Sequence, residues 1–257
     1  MIALFDSGLG GLSVMREVRS RLPQHDLLYF ADTACCPYGL KSVSFVQQRS
    51  LQIGQFLSDY GARLLVVACN TASSAALEVL RAELAIPIVG MEPGLKPAVA
   101  ATRSGYIGVL ATSGTLAGER FARLVERFAC QQTVITQPCP GLVEQVERGA
   151  IDAPRTDALL KQYIDPLLAQ GVDTLVLGCT HYPFLREPIV HMVGPNITII
   201  DTGPAVARHV VHMVSEHRIT PGNSTTHYLT TGSADDVMST AQRLLREAIV
   251  VRTTIVT

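Results

Sequence analysis

The sequence predicts an α/β fold of two pseudo-symmetric lobes, each with a mostly parallel sheet flanked by helices. Three observations carry this. Short apolar runs alternate with helix-period segments along nearly the whole chain. Two of those runs end in matched cysteine clusters, Leu64–Ala68 into Cys69-Asn70-Thr71-Ala72-Ser73 and Leu175–Gly178 into Cys179-Thr180-His181-Tyr182-Pro183. Finally, three pairs of motifs that follow strands recur in almost one register. Asp6 and Thr112 lie 106 residues apart, Cys69 and Cys179 lie 110 apart, and Glu92 and Asp201 lie 109 apart.

In chain order the strand signals are Ile2–Phe5, Asp26–Phe30, Leu64–Ala68, Ile86–Val89, Tyr106–Leu110, Thr133–Ile135, Thr174–Leu177, Ile197–Ile200 and Thr226–Leu229. Runs of this length bounded by polar turns read as buried parallel strands. Helical periodicity falls between them at Gly11–Arg21, Ser42–Tyr60, Ser73–Leu84, Thr115–Ala129, Pro154–Ala169, Val206–His217 and Ala234–Glu247. The apolar run Ile249–Val256 reads as a final strand or an interface segment. The duplication assigns residues 1–94 plus 209–257 to a first lobe and 95–208 to a second. The active site is expected in the cleft between them, because open α/β sheets bind ligands beyond the carboxyl ends of their strands.

Composition narrows the function. With 257 residues, 47% hydrophobic and 17% charged, and a net charge of −1 without basic runs, the chain carries no electrostatic footprint for nucleic acid or anionic lipid. A small-molecule partner is expected instead. No apolar stretch approaches the ~20 residues of a membrane span. The amino terminus also lacks a basic segment and a cleavable apolar region, so a cytoplasmic location is expected. Six cysteines, at 35, 36, 69, 130, 139 and 179, form no CxxC pair and no zinc-like spacing with histidine. They are expected to be free thiols, and Cys130, at a helix end, reads as a small buried hydrophobe. No metal is expected.

A cysteine between a buried strand and a helix amino terminus gains from the helix dipole and nearby N–H groups, both of which favour thiolate. Two such thiols on opposite lobes, one protonated and one not, can remove a proton from one face of a carbon and return one to the other. Asn70, Thr71, Thr180 and His181 are poor core residues and good donors for a carboxylate. The turn Asp6-Ser7-Gly8-Leu9-Gly10-Gly11 also reads as an anion cradle. As a dinucleotide fingerprint it has Ser13 in the third glycine place, with Asp32 about where a ribose-binding acid would fall. A nicotinamide enzyme is therefore a competing class, and a non-catalytic amino-acid binder is another. Asp6 would place negative charge beside a pyrophosphate and suits an amino group better. By spacing alone Glu147 is a surface glutamate at a helix end, and His209 and His212 lie on a solvated face.

With these motifs laid out, the chain resembles the glutamate racemases of the aspartate/glutamate racemase family, cofactor-independent enzymes that supply D-glutamate for bacterial peptidoglycan. Asp6 to Ser13, Pro37-Tyr38-Gly39 and the two cysteine clusters carry the resemblance, in the family's order. Val89 to Pro93, Pro138-Cys139-Pro140 and Thr231-Gly232-Ser233 support it. The His-Tyr-Pro after the second cysteine favours glutamate over aspartate as substrate.

The resemblance implies that Cys69 and Cys179 are the two acid/base residues, acting on the α-hydrogens of D- and L-glutamate respectively. It implies that Asp6, Asp32, Glu147 and His181 assist proton transfer or orient the ammonium group. Ser7, Tyr38, Gly39, Asn70, Thr71 and Thr180 match substrate-binding positions, and Thr112 and Thr115 join them. No cofactor and a homodimer are implied. The sequence departs from the family at Cys35-Cys36, where members often carry a charged or imidazole side chain. The chain begins five residues before Asp6, so regulation through an amino-terminal extension is not expected.

Overall fold

Strand β1 (Ile2–Asp6) is buried along its whole length and lies near the centre of a six-stranded parallel sheet. The computed structural model describes residues 1–256. The other strands of this sheet are β2 (Leu27–Ala31), β3 (Leu64–Val67), β4 (Ile88–Val89), β9 (Thr226–Thr230) and β10 (Val251–Thr253), in the order β10-β9-β2-β1-β3-β4. A second, four-stranded parallel sheet holds β5 (Tyr106–Ala111), β6 (Thr133–Pro138), β7 (Thr174–Leu177) and β8 (Thr198–Asp201), in the order β6-β5-β7-β8. Both sheets thus contain the same four-strand arrangement, with the first strand of each set between its second and third. This repeated order is the structural counterpart of the motif register.

Period-two alternation sorts the first sheet into two layers. Ile2, Leu4, Leu27, Tyr29, Leu64 and Val66 face one side, and Ala3, Phe5, Leu28, Phe30, Leu65 and Val67 the other. The first set packs on α1 (Leu12–Arg21), α10 (Gly203–Glu216) and α11 (Ala234–Leu245), through residues such as Val18, Val210 and Ala241. The second packs on α2 (Val43–Asp59) and α3 (Asn70–Glu83), through Ile53, Leu57, Ala76 and Leu80. In the second sheet Leu110, Leu175 and Leu177 meet α8 (Pro154–Leu168). Ile107, Val109 and Val176 meet α4 (Leu95–Ala101) and α6 (Glu119–Phe128). The core that contains Leu4 is continuous with the one that contains Leu177, so one apolar layer joins the two sheets.

Two expectations are corrected. The single helix over 115–129 is broken into α5 (Ser113–Leu116) and α6, because Gly118 sits in extended backbone where a Cβ would overlap the Ser74 hydroxyl. Cys130, expected to be a buried hydrophobe, is exposed just beyond the end of α6. Three short helices had no sequence signal: α4, α7 (Leu142–Glu147) and α9 (Arg186–Val193). Helices of six to eight residues do not stand alone, and these are held by buried Leu95, Val146 and Ile189. His209 and His212 are exposed, as expected. Among the described residues no helix is long and apolar enough to cross a membrane.

Leu4 is fully buried in the layer shared by both sheets. Leu4→Ala is expected to lower unfolding stability by about 2–5 kcal/mol, the range for a large-to-small core change. Urea denaturation followed by circular dichroism measures it, and a loss under about 1 kcal/mol would show that the site collapses around the smaller side chain.

Candidate active site

Cys69 follows β3 and caps the amino terminus of α3, which is why the sequence changes there from branched apolar residues to a small polar cluster. Its sulfur accepts the Ala72 amide at 3.5 Å and lies 3.8 Å from the Ser7 hydroxyl. The thiol is only 4% exposed. Burial pushes its pKa well up, the Asp6 carboxylate and the Cys179 sulfur push it further, and the amides of Ala72 and Ser7 oppose them. Cys69 therefore rests as a protonated thiol.

Cys179 follows β7 in the other lobe and is 6% exposed. Its sulfur lies 3.6 Å from Nδ1 of His181, while Nε2 of the same ring lies 2.6 Å from a carboxylate oxygen of Glu147 at the end of α7. Burial alone would lower the His181 pKa. Contacts with Cys179, Cys36 and Glu147 outweigh it and hold the imidazole well above its ordinary value. A protonated ring thus offers the Cys179 sulfur a charged hydrogen-bond donor. Glu147, a surface residue by its spacing, is mostly buried and also accepts the Leu9 amide at 2.6 Å.

The glycine-rich turn after β1 is occupied by the chain itself. Asp6 Oδ1 accepts the Ser7 amide at 2.8 Å, and Oδ2 accepts the Gly11 amide at 2.7 Å and the Thr180 hydroxyl at 3.3 Å. Burial raises the Asp6 pKa, partly offset by His181 and the Gly11 amide. With Asp6 filling the turn's amides, the cradle that a dinucleotide pyrophosphate needs is taken. Gly10 is required by close approach, since a Cβ there would overlap the His181 ring and lie 2.6 Å from the Thr180 hydroxyl. The two lobes meet again where the Ser13 hydroxyl donates to the Thr180 carbonyl at 2.9 Å.

Asp32, after β2, is fully buried with both oxygens engaged. Arg49 of α2 binds it through Nη2 to Oδ1 at 2.8 Å and Nε to Oδ2 at 3.0 Å. The Tyr38 hydroxyl donates to Oδ2 at 2.6 Å and Thr231 to Oδ1 at 2.9 Å. Burial raises the Asp32 pKa, but these donors outweigh it and hold the carboxyl below its ordinary value. Tyr38 is buried in the same core layer as Cys69. Gly39 packs against the Thr112 side chain of the other lobe, and Thr71 Oγ1 lies 2.8 Å from Thr112 Oγ1 and 3.4 Å from Thr115 Oγ1. Asn70 is buried, and neither its Oδ1 nor its Nδ2 has a hydrogen-bond partner within the protein, an uncommon state for a buried amide.

All fourteen anticipated residues thus lie along one seam, Asp32 one step behind it through Tyr38. Thr231 and Ser13 stand in motifs of the resemblance but were given no role, and Arg49 was not anticipated, having no local signal because its partner is 17 residues away across a loop. Cys36 was not assigned a place either. It lies against His181 and Glu147, and burial pushes its thiol up to about 11. Beside the seam, Pro37, Gly39 and Leu40 face Thr112, Cys139 and Glu144 around a cavity of about 30 Å³. That is room for about two waters.

The model of the Asp/Glu/Hydantoin racemase family matches residues 12–210 of this chain. A glutamate racemase of Ectopseudomonas mendocina is 50% identical over 250 residues, covering 96% of this chain and 95% of that protein. The crystal structure of the glutamate racemase isoform RacE1 from Bacillus anthracis superposes with a TM-score of 0.90 at 34% identity, covering 99% of this chain and 97% of the other. That of Escherichia coli glutamate racemase, solved with L-glutamate and the activator UDP-MurNAc-ala, gives 0.88 at 31% identity, with coverage of 100% and 98%.

Removing one partner of a buried ion pair leaves the other charge unpaired. Arg49→Ala is expected to destabilise the fold by about 3–5 kcal/mol at neutral pH. The sign with pH follows from the lowered Asp32 pKa. The pair's stability is fully present above the ordinary aspartate value near ~3.9 and is lost as pH falls through the lower folded value. The deficit of the variant should therefore shrink in acid, and denaturation curves at neutral and acidic pH with an equal deficit would contradict the assignment.

Proposed function

This chain belongs to the Asp/Glu/Hydantoin racemase family, and on that premise we propose that it interconverts L- and D-glutamate by a two-base mechanism through Cys69 and Cys179. The observation that carries the reading is a pair of buried thiols on opposite lobes with unlike surroundings, Cys69 beside Asp6 and Cys179 beside the His181–Glu147 pair. Two-base racemisation needs one sulfur protonated while the other is not. Mutual repulsion supplies that exclusion, since charge on Cys179 raises the Cys69 pKa.

In the L-to-D direction Cys179 removes the α-proton and the Cys69 thiol delivers one to the opposite face; the reverse direction exchanges the roles. The α-proton is weakly acidic, so negative charge developing beside the carboxylate must be met by fixed donors. Ser7, Asn70, Thr71 and Thr180 supply them, and Asp6 faces the retained ammonium. Asp32, with both oxygens engaged, acts as a positioning residue for Tyr38. Both thiols are buried, 4% and 6% exposed, which excludes water from the carbanion-like state. The reaction needs no cofactor, and its product is the D-glutamate used in peptidoglycan synthesis. The family resemblance supports a cytoplasmic homodimer, which sedimentation would test.

Proton NMR with L-glutamate in D2O, run beside polarimetry, is expected to show loss of the C2 proton together with decay of optical activity. Cys69→Ser and Cys179→Ser should each lower turnover by about 100- to 10,000-fold, the usual contribution of an acid/base group, with unchanged far-ultraviolet circular dichroism. Near-normal turnover in both would sink the mechanism, and faster exchange with aspartate than with glutamate would move the substrate assignment. Glu147→Gln removes the charge that helps hold His181 protonated and so lowers the folded His181 pKa. The alkaline limb of the rate profile should then move to lower pH, whereas a residue that only packs would leave the limb in place.

A further inference from the structure

Cys36 is a largely buried thiol that touches His181 and Glu147 but has no acid/base or substrate-binding part in racemisation. Its sulfur, a carboxylate oxygen of Glu147 and a ring nitrogen of His181 all lie within 4.8 Å of one another. The three come from separate segments: the loop after β2, the end of α7 and the turn after β7. The gap they share exists because residue 8 is glycine. A Cβ there would overlap the Glu147 carboxylate and lie 2.9 Å from the Cys36 sulfur.

We propose that Cys36, Glu147 and His181 form a binding site for a borderline-soft divalent cation, Zn²⁺ above all, and that its occupation inhibits the enzyme. Thiolate, imidazole and carboxylate together select zinc over magnesium or calcium, which take oxygen ligands. Zinc bonds of about 2.0–2.3 Å in a tetrahedron span donor separations of about 3.3–3.6 Å, so the Cys36 sulfur has to draw in by up to about an ångström while His181 Nε2 and the Glu147 oxygen, 2.6 Å apart, move apart. Binding releases the Cys36 thiol proton and the His181 Nε2 proton to water, so two protons leave for each ion bound. It also replaces the hydrogen bond of 2.6 Å between His181 Nε2 and Glu147, the contact that helps keep the imidazole ready for Cys179. Three protein ligands leave a fourth position open, which water fills. The site would make the activity sensitive to free zinc without any separate regulatory domain.

Zn²⁺ alone, titrated calorimetrically into the reduced full chain, is expected to bind one ion per chain. Co²⁺ in its place should give a near-ultraviolet sulfur-to-metal absorption band. Cys36→Ser should abolish the band and weaken Zn²⁺ by at least about a hundredfold, the upper end of what losing even an indirect contact to a metal ligand costs. Whatever metal-free rate the variant retains should be insensitive to Zn²⁺, and a chelator should restore the inhibited wild type. Equal Zn²⁺ affinity in wild type and Cys36→Ser, or a Co²⁺ complex without the sulfur band, would overturn the site. The inhibition rests on the racemase reading but the binding does not. Zinc binding lost in Cys36→Ser supports the site even if no racemisation is seen, which would fault the functional reading alone.

Discussion

A carboxylate sealed inside the protein, that of Asp6, is the constraint around which the two lobes are organised. Burying an ionisable carboxyl is costly unless hydrogen bonds replace its water. Here the replacements are the Ser7 and Gly11 amides of its own turn and the Thr180 hydroxyl from the opposite lobe. Satisfying Asp6 therefore fixes the glycine-rich turn and the seam between the lobes at once. It also sets Asp6 against Cys69, whose pKa is raised by burial first and by the Asp6 charge further. The same turn that could have cradled a phosphate is closed to one by the residue that begins it.

The two thiols occupy equivalent places in the repeated sheet order and yet are chemically unlike. Duplication explains the equivalence, since each follows the third strand of its set of four. Divergence explains the difference: the first lobe offers its cysteine an aspartate and backbone amides, the second a histidine backed by a glutamate. In the proposed two-base mechanism the equivalent positions set the two thiols on opposite faces of one carbon, and the unlike surroundings let one be protonated while the other is not. The cost is borne by polar side chains held where water cannot reach, Asn70 among them, with both its polar atoms unpartnered.

Most of the fold was legible in the sequence. Strands buried on both faces must be apolar throughout, so β1, β3 and β7 announce themselves as uninterrupted runs, and α2, α8 and α11 as long segments of helical period. The short helices α4, α7 and α9 were not legible, because stretches of that length draw their stability from the surfaces they land on. The break between α5 and α6 was also hidden. It follows from the approach of Gly118 to Ser74 of α3, more than 40 residues earlier in the chain.

By itself the sequence determined the residue types that must stand at strand ends: two cysteines, the hydroxyls and amide beside them, Asp6 and the glycines. Each of these is written in a local motif, where a few adjacent residues carry both the turn and the chemistry. Tertiary structure alone decided the partnerships. Glu147 is an ordinary helix-end glutamate until α7 delivers it to His181, and Arg49 an ordinary helix arginine until it meets Asp32. Cys36 is one of two adjacent loop thiols until it is set beside the His181–Glu147 pair. Pairings across such distances in the chain depend on how helices pack on sheets, and that geometry is set by the whole core rather than by any segment within it.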